Sequence, residues 1–524
     1  MKYVLFILIS FGFSFPPSFS LERSTEIIND GLPDNGIIDI EAILDTLIYF
    51  GTSSGLGRVD IVDEDKIFST VMSDAMPEGG NPALAIKGNV IVVSGVTTYY
   101  SVATESNEQK ETGVAYSVDS GDTWKFMEQP IVENPEDGLY HQIEWGGQIL
   151  EILAVTTAVN NVSYDLAIGG DYIYSTSWAG GLRRFNFTDD VPQWEIIPLP
   201  MDDQDSLYCG QIDIESYELN PKDPKDGGNH NHKGFSVFYE DNILWVGTAN
   251  GLNKGVIIDD CINWSHYNTA DGLSGNWLVG IASGLESDNE YLQRLWGISW
   301  ATKTTESTGL SYSFDDGVSW QHVDFFTGSG LKVYNLEISK NRIYVSTIEG
   351  LYVSEDGEHW ELIPDFVDDN SGEIILDDAV YTAHVHDGTD EVWIGTGDGL
   401  AIRDSNGLIQ VHRFWESTVK PKDGDFNFSV YPNPFYVKDQ NILNDFGHVR
   451  FVYNFEPNRV INIYDFSMDH VVRLNNSHSA GSNGESEIIW DGRNSRGSLV
   501  SNGVYFCKLT ANNQDYWTKL VVVN

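Results

Sequence analysis

The chain has 524 residues, with 30 basic against 78 acidic side chains and a formal net charge of -48. Such an acidic surface excludes nucleic acid as a partner, because phosphate binding needs a basic footprint. It suits a well-solvated extracellular surface, in salty or calcium-containing medium.

Residues 1–20 read as a signal peptide: Lys2 supplies the positive end, residues 4–15 a short apolar run, and Ser18-Phe19-Ser20 a small-residue cleavage pattern. The run is short for a membrane span. No cysteine follows it to carry a lipid, and no later stretch approaches spanning length, so no transmembrane segment is expected. The mature protein is expected to be secreted or held on the outer cell surface.

From residue 21 to 415 the chain repeats one pattern. Its clearest copy holds four apolar runs, 334–339, 342–347, 351–354 and 360–363, divided by Lys340-Asn341, Glu349-Gly350 and Asp356-Gly357. Alternating strands split by turn pairs predict a four-stranded antiparallel meander. The second strand and its following turn recur as Phe50-Gly51-Thr52 with Gly55-Leu56, Val246-Gly247-Thr248 with Gly251-Leu252, and Ile394-Gly395-Thr396 with Gly399-Leu400. Looser copies fall near Tyr174, Val90 and Trp296. About seven units with a period of roughly forty to fifty residues predict an all-β fold whose main part is a β-propeller of about seven blades. Cys209 and Cys261 can pair across adjacent blades, and Cys507 reads as a buried thiol.

Two units carry S-x-D-x-G-x-x-W in the turn between the third and fourth strands: Ser117, Asp119, Gly121 and Trp124, then Ser313, Asp315, Gly317 and Trp320. A shortened copy holds Asp356 and Trp360. These resemble the Asp-box (BNR) repeats of sialidases and other secreted propellers. The Gly-Thr…Gly-Leu copies resemble the propeller repeats of two-component sensor proteins. Both resemblances imply a fold, with the Asp carboxylates closing turns rather than doing chemistry. A sialidase also implies an arginine cluster, a Tyr-Glu nucleophile pair and an Asp acid/base. The propeller arginines are Arg58, Arg183, Arg184, Arg294, Arg342, Arg403 and Arg413, and no Arg-Ile-Pro motif occurs. No catalytic residue is assigned. A binding role for a protein or polysaccharide ligand is the leading expectation, and glycan hydrolysis is the alternative.

His230 and His232 in one insertion, and His384 and His386 on one strand face, are the weak candidates for a metal. Neither pair has a third ligand placed by sequence, so no metal or other cofactor is expected beyond calcium as an option. The insertions 101–112, 131–162 and 201–233 are long enough to carry binding. Aromatic residues near them (Tyr99, Tyr100, Tyr140, Trp145, Trp178, Tyr208 and Tyr217) can stack on sugars.

A polar linker over 416–427 ends the repeat. Strand patterns over 449–455, 460–464, 471–474, 487–490, 503–509 and 516–523 then predict a separate Ig-like β-sandwich over 428–524. Within it Pro432-Asn433-Pro434, Trp490-Asp491-Gly492 and Gly503-Val504-Tyr505 occur in order. This resembles a type IX secretion C-terminal sorting domain, related to the Ig-like domain of flagellar hook-capping proteins. The resemblance implies the type IX secretion machinery as a partner. Met468 departs from it, standing where glycine is usual after Ile463-Tyr464-Asp465.

Overall fold

A computed structural model describes residues 31–413 and 428–523, apart from short internal stretches. The leader 1–20, the linker 416–427 and Pro432 lie outside the described residues. The chain is almost wholly β, with one α-helix (Asp324–Ser329) among the described residues. No described helix is long and apolar enough to cross a membrane.

Seven antiparallel meanders follow one another. Their first strands are Ile37–Leu44, Leu84–Lys87, Ser163–Gly169, Gly234–Glu240, Trp277–Ser283, Val333–Ile338 and Val380–Val385. We number these sheets 1 to 7. Each first strand touches that of the next sheet, and Ile37–Leu44 meets Val380–Val385, so the sheets form a closed β-propeller ring.

The Gly-Thr…Gly-Leu repeat has a local cause. Thr52, Thr248, Thr347 and Thr396 each donate Oγ1–H to the carbonyl of Gly55, Gly251, Gly350 or Gly399, at 2.7, 3.1, 2.8 and 2.8 Å. The same hydroxyls accept the N–H two residues on, at 3.1–3.2 Å. Each glycine holds a positive φ, from 121° to 143°, which a side chain would resist. Thr and Gly together therefore fix the turn, and the third strand starts in register.

Neighbouring sheets share buried apolar clusters all round the ring. Sheets 7 and 1 close on Trp393, Leu400 and Ile402 against Ile37, Phe50 and Val59. The ion pair Lys66–Glu391 (2.9 Å) spans the same seam.

Two expectations need correction. The insertions 131–162 and 201–233 are not open loops: Tyr140–Trp145, Gln148–Leu153 and Glu218–Leu219 form a small sheet. Its Trp145, Ile152 and Tyr217 join the core of sheets 3 and 4, because these apolar side chains gain more from burial than from solvent. Cys209 and Cys261 do form a disulfide, but not across neighbouring blades. Ser206–Leu207 pairs with Cys261–Tyr267 as a fifth strand of sheet 4, which brings both cysteines to one margin.

Residues 428–523 form two facing sheets, one of four strands and one of five. They bury Phe435, Phe451, Ile461, Trp490, Tyr505, Cys507 and Leu520 between them. The sandwich touches the propeller through buried charge: Arg450 bonds Asp398 and Glu487, and donates to the Ile374 carbonyl at 3.3 Å. Arg413 holds Asp398 at 2.7 Å, with Glu373 and Glu487 at 3.7 and 3.6 Å.

Candidate functional site at the channel mouth

Pairing of the first strand slips by one residue in six sheets, which leaves Ile38, Tyr164, Phe235, Val279, Tyr334 and Tyr381 without opposite partners. Such a bulge re-aims the extra side chain. Here the rings meet across sheets: Tyr164–Phe235 at 6.0 Å, Phe235–Trp277 at 5.2 Å and Tyr334–Tyr381 at 5.2 Å. All are half-buried. The ring geometry thus gathers aromatic faces where the first strands begin, at one mouth of the central channel.

Lys233, Trp277 and Lys332 share one register position, just ahead of the bulge. The carbonyls of Lys233 and Lys332 accept the N–H of Ala249 and Ile348, both at 3.1 Å, and Trp277 pairs with Trp300 at the same level. Trp178 and Trp300 sit at the ends of the second strands of sheets 3 and 5. Trp178 meets Trp277 edge-on at 5.5 Å, and Trp300 meets Tyr334 edge-on at 6.3 Å. Lys233 Nζ lies 4.6 Å from the Trp178 ring centre, and Lys332 Nζ lies 3.9 Å from that of Trp300. Burial lowers the pKa of both ammonium groups.

Below the mouth the channel turns acidic. Burial raises Asp39, Asp165 and Glu337 to about 7, against opposing backbone hydrogen bonds, and raises Glu41 well above its ordinary value. Asp39 accepts N–H bonds from Ile40 (3.0 Å) and from Leu84 of the next sheet (3.1 Å). Asp165 does the same with Leu166 (2.8 Å) and Val237 (2.9 Å). These two carboxylates fasten one sheet to the next, a task Asn335 takes in sheet 6 through Thr382 at 3.3 Å. Glu337 Oε1 stands 3.5 Å from His384 Nδ1, and burial pushes His384 down to about 4, so its imidazole is neutral.

The residues singled out in sequence fall elsewhere. Asp119 Oδ1 accepts the Ser117 hydroxyl (2.7 Å) and the Thr123 N–H (2.8 Å). Asp315 repeats this with Ser313 (2.8 Å) and Ser319 (2.8 Å), and Asp356 accepts from Ser354 (3.1 Å) and from the N–H of His359 (2.8 Å). Trp124 and Trp320 donate Nε1–H to Gly121 and Gly317, both at 3.1 Å. Trp320 is buried, while Trp124 and Trp360 are half-buried. Strand direction alternates, so these third-to-fourth turns lie at the channel end opposite the aromatic mouth. Beside Trp124 lies a cleft lined by Arg58, Asp60, Met72 and Asp122, in which Arg58 grips Asp60 at 2.6 and 2.9 Å.

The two histidines of each pair take different partners. His232 accepts the Asn220 N–H at Nδ1 (3.0 Å) and faces the Leu199 carbonyl with Nε2 (3.1 Å), so both nitrogens are occupied. His230 stands apart beside Asp223 at 3.9 Å. His386 bonds the Thr389 hydroxyl at 3.0 Å. Among the described residues no three His, Cys, Asp or Glu side chains converge as metal ligands.

In the sandwich, Asn433 donates to the Lys519 carbonyl (2.8 Å) and accepts the Val521 N–H (3.0 Å), beside an exposed Pro434. Trp490 is buried against Tyr505 at 6.2 Å and donates to the Arg493 carbonyl at 2.8 Å. Asp491 accepts the Arg493 N–H (3.0 Å), and Gly492 has φ 72°. Gly503 opens the strand that carries Tyr505. Met468 has φ 64°, in the left-handed region that favours glycine.

Of the aromatics flagged near insertions, Trp178 alone belongs to the mouth, while Trp145 and Tyr217 are core. Tyr164, Phe235, Trp277, Trp300, Lys233 and Lys332 escaped notice. For all but Trp300, which ends a second strand, the usable signal was a shared position at the start of the first strand, visible only once the units are aligned on that strand.

No protein-family model matches the chain, and no curated protein does. Among solved structures, YCF48 from Cyanidioschyzon merolae is similar at 11% identity, over 74% of this chain and 98% of that one, with a TM-score of 0.40. The β-propeller domain of Cps50 (Swd1) from Myceliophteria thermophila has 10% identity, 74% and 100% coverage and a TM-score of 0.39. PorZ, a surface component of the type-IX secretion system of Porphyromonas gingivalis, has 13% identity, 93% and 75% coverage and a TM-score of 0.26. At these scores the likeness adds nothing to what the chain's own sheets show, which is a β-propeller with an aromatic channel mouth.

Proposed function

We infer that the protein is a secreted or surface-held seven-bladed propeller that binds a protein or polysaccharide at the aromatic mouth. Its C-terminal sandwich, read as Ig-like, serves as a type IX sorting domain, and the Asp-box turns are structural. The observation that carries the binding role is the arc of half-exposed rings from Tyr164 to Tyr381. Aromatic faces gathered on rigid strands give a ligand contact area that costs little ordering entropy. Glycan and surface-protein arrays probed with the wild type and with Trp277→Ala/Trp300→Ala test it. Ligand capture should fall at least tenfold in the variant; unchanged capture would remove the mouth from consideration. For sorting, a chain lacking 427–524 should collect in the periplasm of the native host, and normal amounts outside the cell would refute that role.

Glycan hydrolysis keeps one observation in its favour. Glu41 and Glu337 face the channel from different sheets with raised pKa, as an acid catalyst needs. A hydrolysis screen with Glu41→Gln and Glu337→Gln separates the readings, since a binder releases no reducing ends and both variants bind normally.

A further inference from the structure

Four described lysines lie beside an acid: Lys66 with Glu391, Lys254 with Asp316, Lys508 with Asp515 and Lys225 with Asp223. Lys87 and Lys125 lie over tyrosine rings without one, and Lys233 and Lys332 differ from these in resting on tryptophans at the mouth. Among the described residues no carboxylate lies within ion-pair distance of either, although the chain carries 78 acidic residues. Asp202 and Asp223 act on Lys233 only from farther away. Each ammonium group instead rests on a tryptophan face, at the same register position two sheets apart. Lys233 is 4% exposed, and burial has removed much of its hydration without supplying an anion. Between the two lysines stands Trp277, with Trp178 on one side and Trp300 on the other. Trp300 spends its Nε1–H on the Val333 carbonyl (2.8 Å), so it has only ring surface to offer.

We propose that this arc binds an acidic oligosaccharide, with sugar rings stacked on Trp178, Trp277 and Trp300 and sugar acid groups paired to Lys233 and Lys332. The proposal rests on the mouth being the binding site and adds the ligand class. Stacking on an aromatic face uses the C–H side of a sugar and leaves its substituents free at the edge. A carboxylate or sulfate there supplies the charge-assisted partner that each ammonium lacks. Two lysines at equivalent positions suit a polymer that presents its charge repeatedly.

The test is titration of the full chain with oligogalacturonate, its neutral methyl ester and a sulfated oligosaccharide, using the wild type, Lys233→Met/Lys332→Met and Trp277→Ala. Methionine keeps the stem on the tryptophan face, and near-ultraviolet circular dichroism checks that the fold survives. At least one acidic probe should bind at least tenfold tighter than the ester. That preference should vanish in the lysine variant, and binding of every sugar should drop in Trp277→Ala; which acidic probe wins tells carboxylate from sulfate. Equal binding of acid and ester, or an acid preference that outlasts loss of both lysines, overturns the ligand class and leaves the mouth standing. Binding indifferent to Trp277→Ala, or no binding by any probe, overturns this proposal, and the array experiment then decides separately whether the mouth binds a protein instead.

Discussion

The ring closes between sheets 7 and 1 on Trp393, Phe50 and Ile37, whereas the sandwich meets the propeller through Arg450, Arg413, Asp398, Glu373 and Glu487. Both seams are buried. The first is held by apolar surface leaving water, which is favourable in almost any arrangement that excludes solvent. The second sets two guanidinium groups against three carboxylates, where the desolvation penalty is recovered only if every partner is in place. An apolar seam therefore supplies stability, and an ionic one supplies a defined orientation. The two halves bury separate apolar clusters, yet Arg450 makes the propeller's Asp398 depend on the sandwich.

The largest effect should come from breaking the ionic seam. Arg450→Ala leaves Asp398 and Glu487 buried with less charge compensation, and should cost about 3–5 kcal/mol in denaturant unfolding. Adding Glu487→Gln should recover part of that loss, and strict additivity would show that the network does not act as a unit. Trp393→Ala on the apolar seam should cost a similar amount, about 3–5 kcal/mol, but combine additively with Glu487→Gln. Next comes Cys209→Ser/Cys261→Ser. It opens a loop of sequence separation 52 and should cost about 2–4 kcal/mol, seen as a lower Tm unaffected by reductant.

The channel carboxylates give a smaller and pH-dependent effect. Asp39, Asp165 and Glu337 have folded pKa values raised to about 7, so the folded state holds protons that the unfolded chain releases near pH 4. Their contribution is full below the unfolded value and is lost as pH rises through about 7. Tm should therefore fall between pH 5 and 8, and Asp165→Asn should flatten that slope. Asp315 has the opposite sign: hydrogen bonds from Ser319 lower it to about 2, so its smaller contribution disappears on acidification.

The ring was legible because four of the units repeat a Thr–Gly clamp whose residues are dictated by backbone geometry. Sheets 2 and 5 were harder to see: long arms over Val90–Ser101 and Ser106–Ser117 stretch the period in one, and a longer connection between Trp300 and Gly309 stretches it in the other. The mouth was not legible, since its side chains come from five sheets and no packing rule constrains their identity. Arg450 with Asp398 was equally hidden, because two charges 52 residues apart carry no periodic signal.

Each four-stranded meander of the ring is built from strands consecutive in sequence, and the fifth strand of sheet 4 comes from the insertion just ahead of it. The first and last sheets are joined by side chains, with no strand of one completing the other. The position of the chain ends is therefore not written into the ladders. A circularly permuted protein, with residues 413 and 31 bridged by a flexible linker, the sandwich carried at the new C-terminus and new ends opened between sheets 4 and 5, would keep every strand pairing in the ring. It should fold to the same circle.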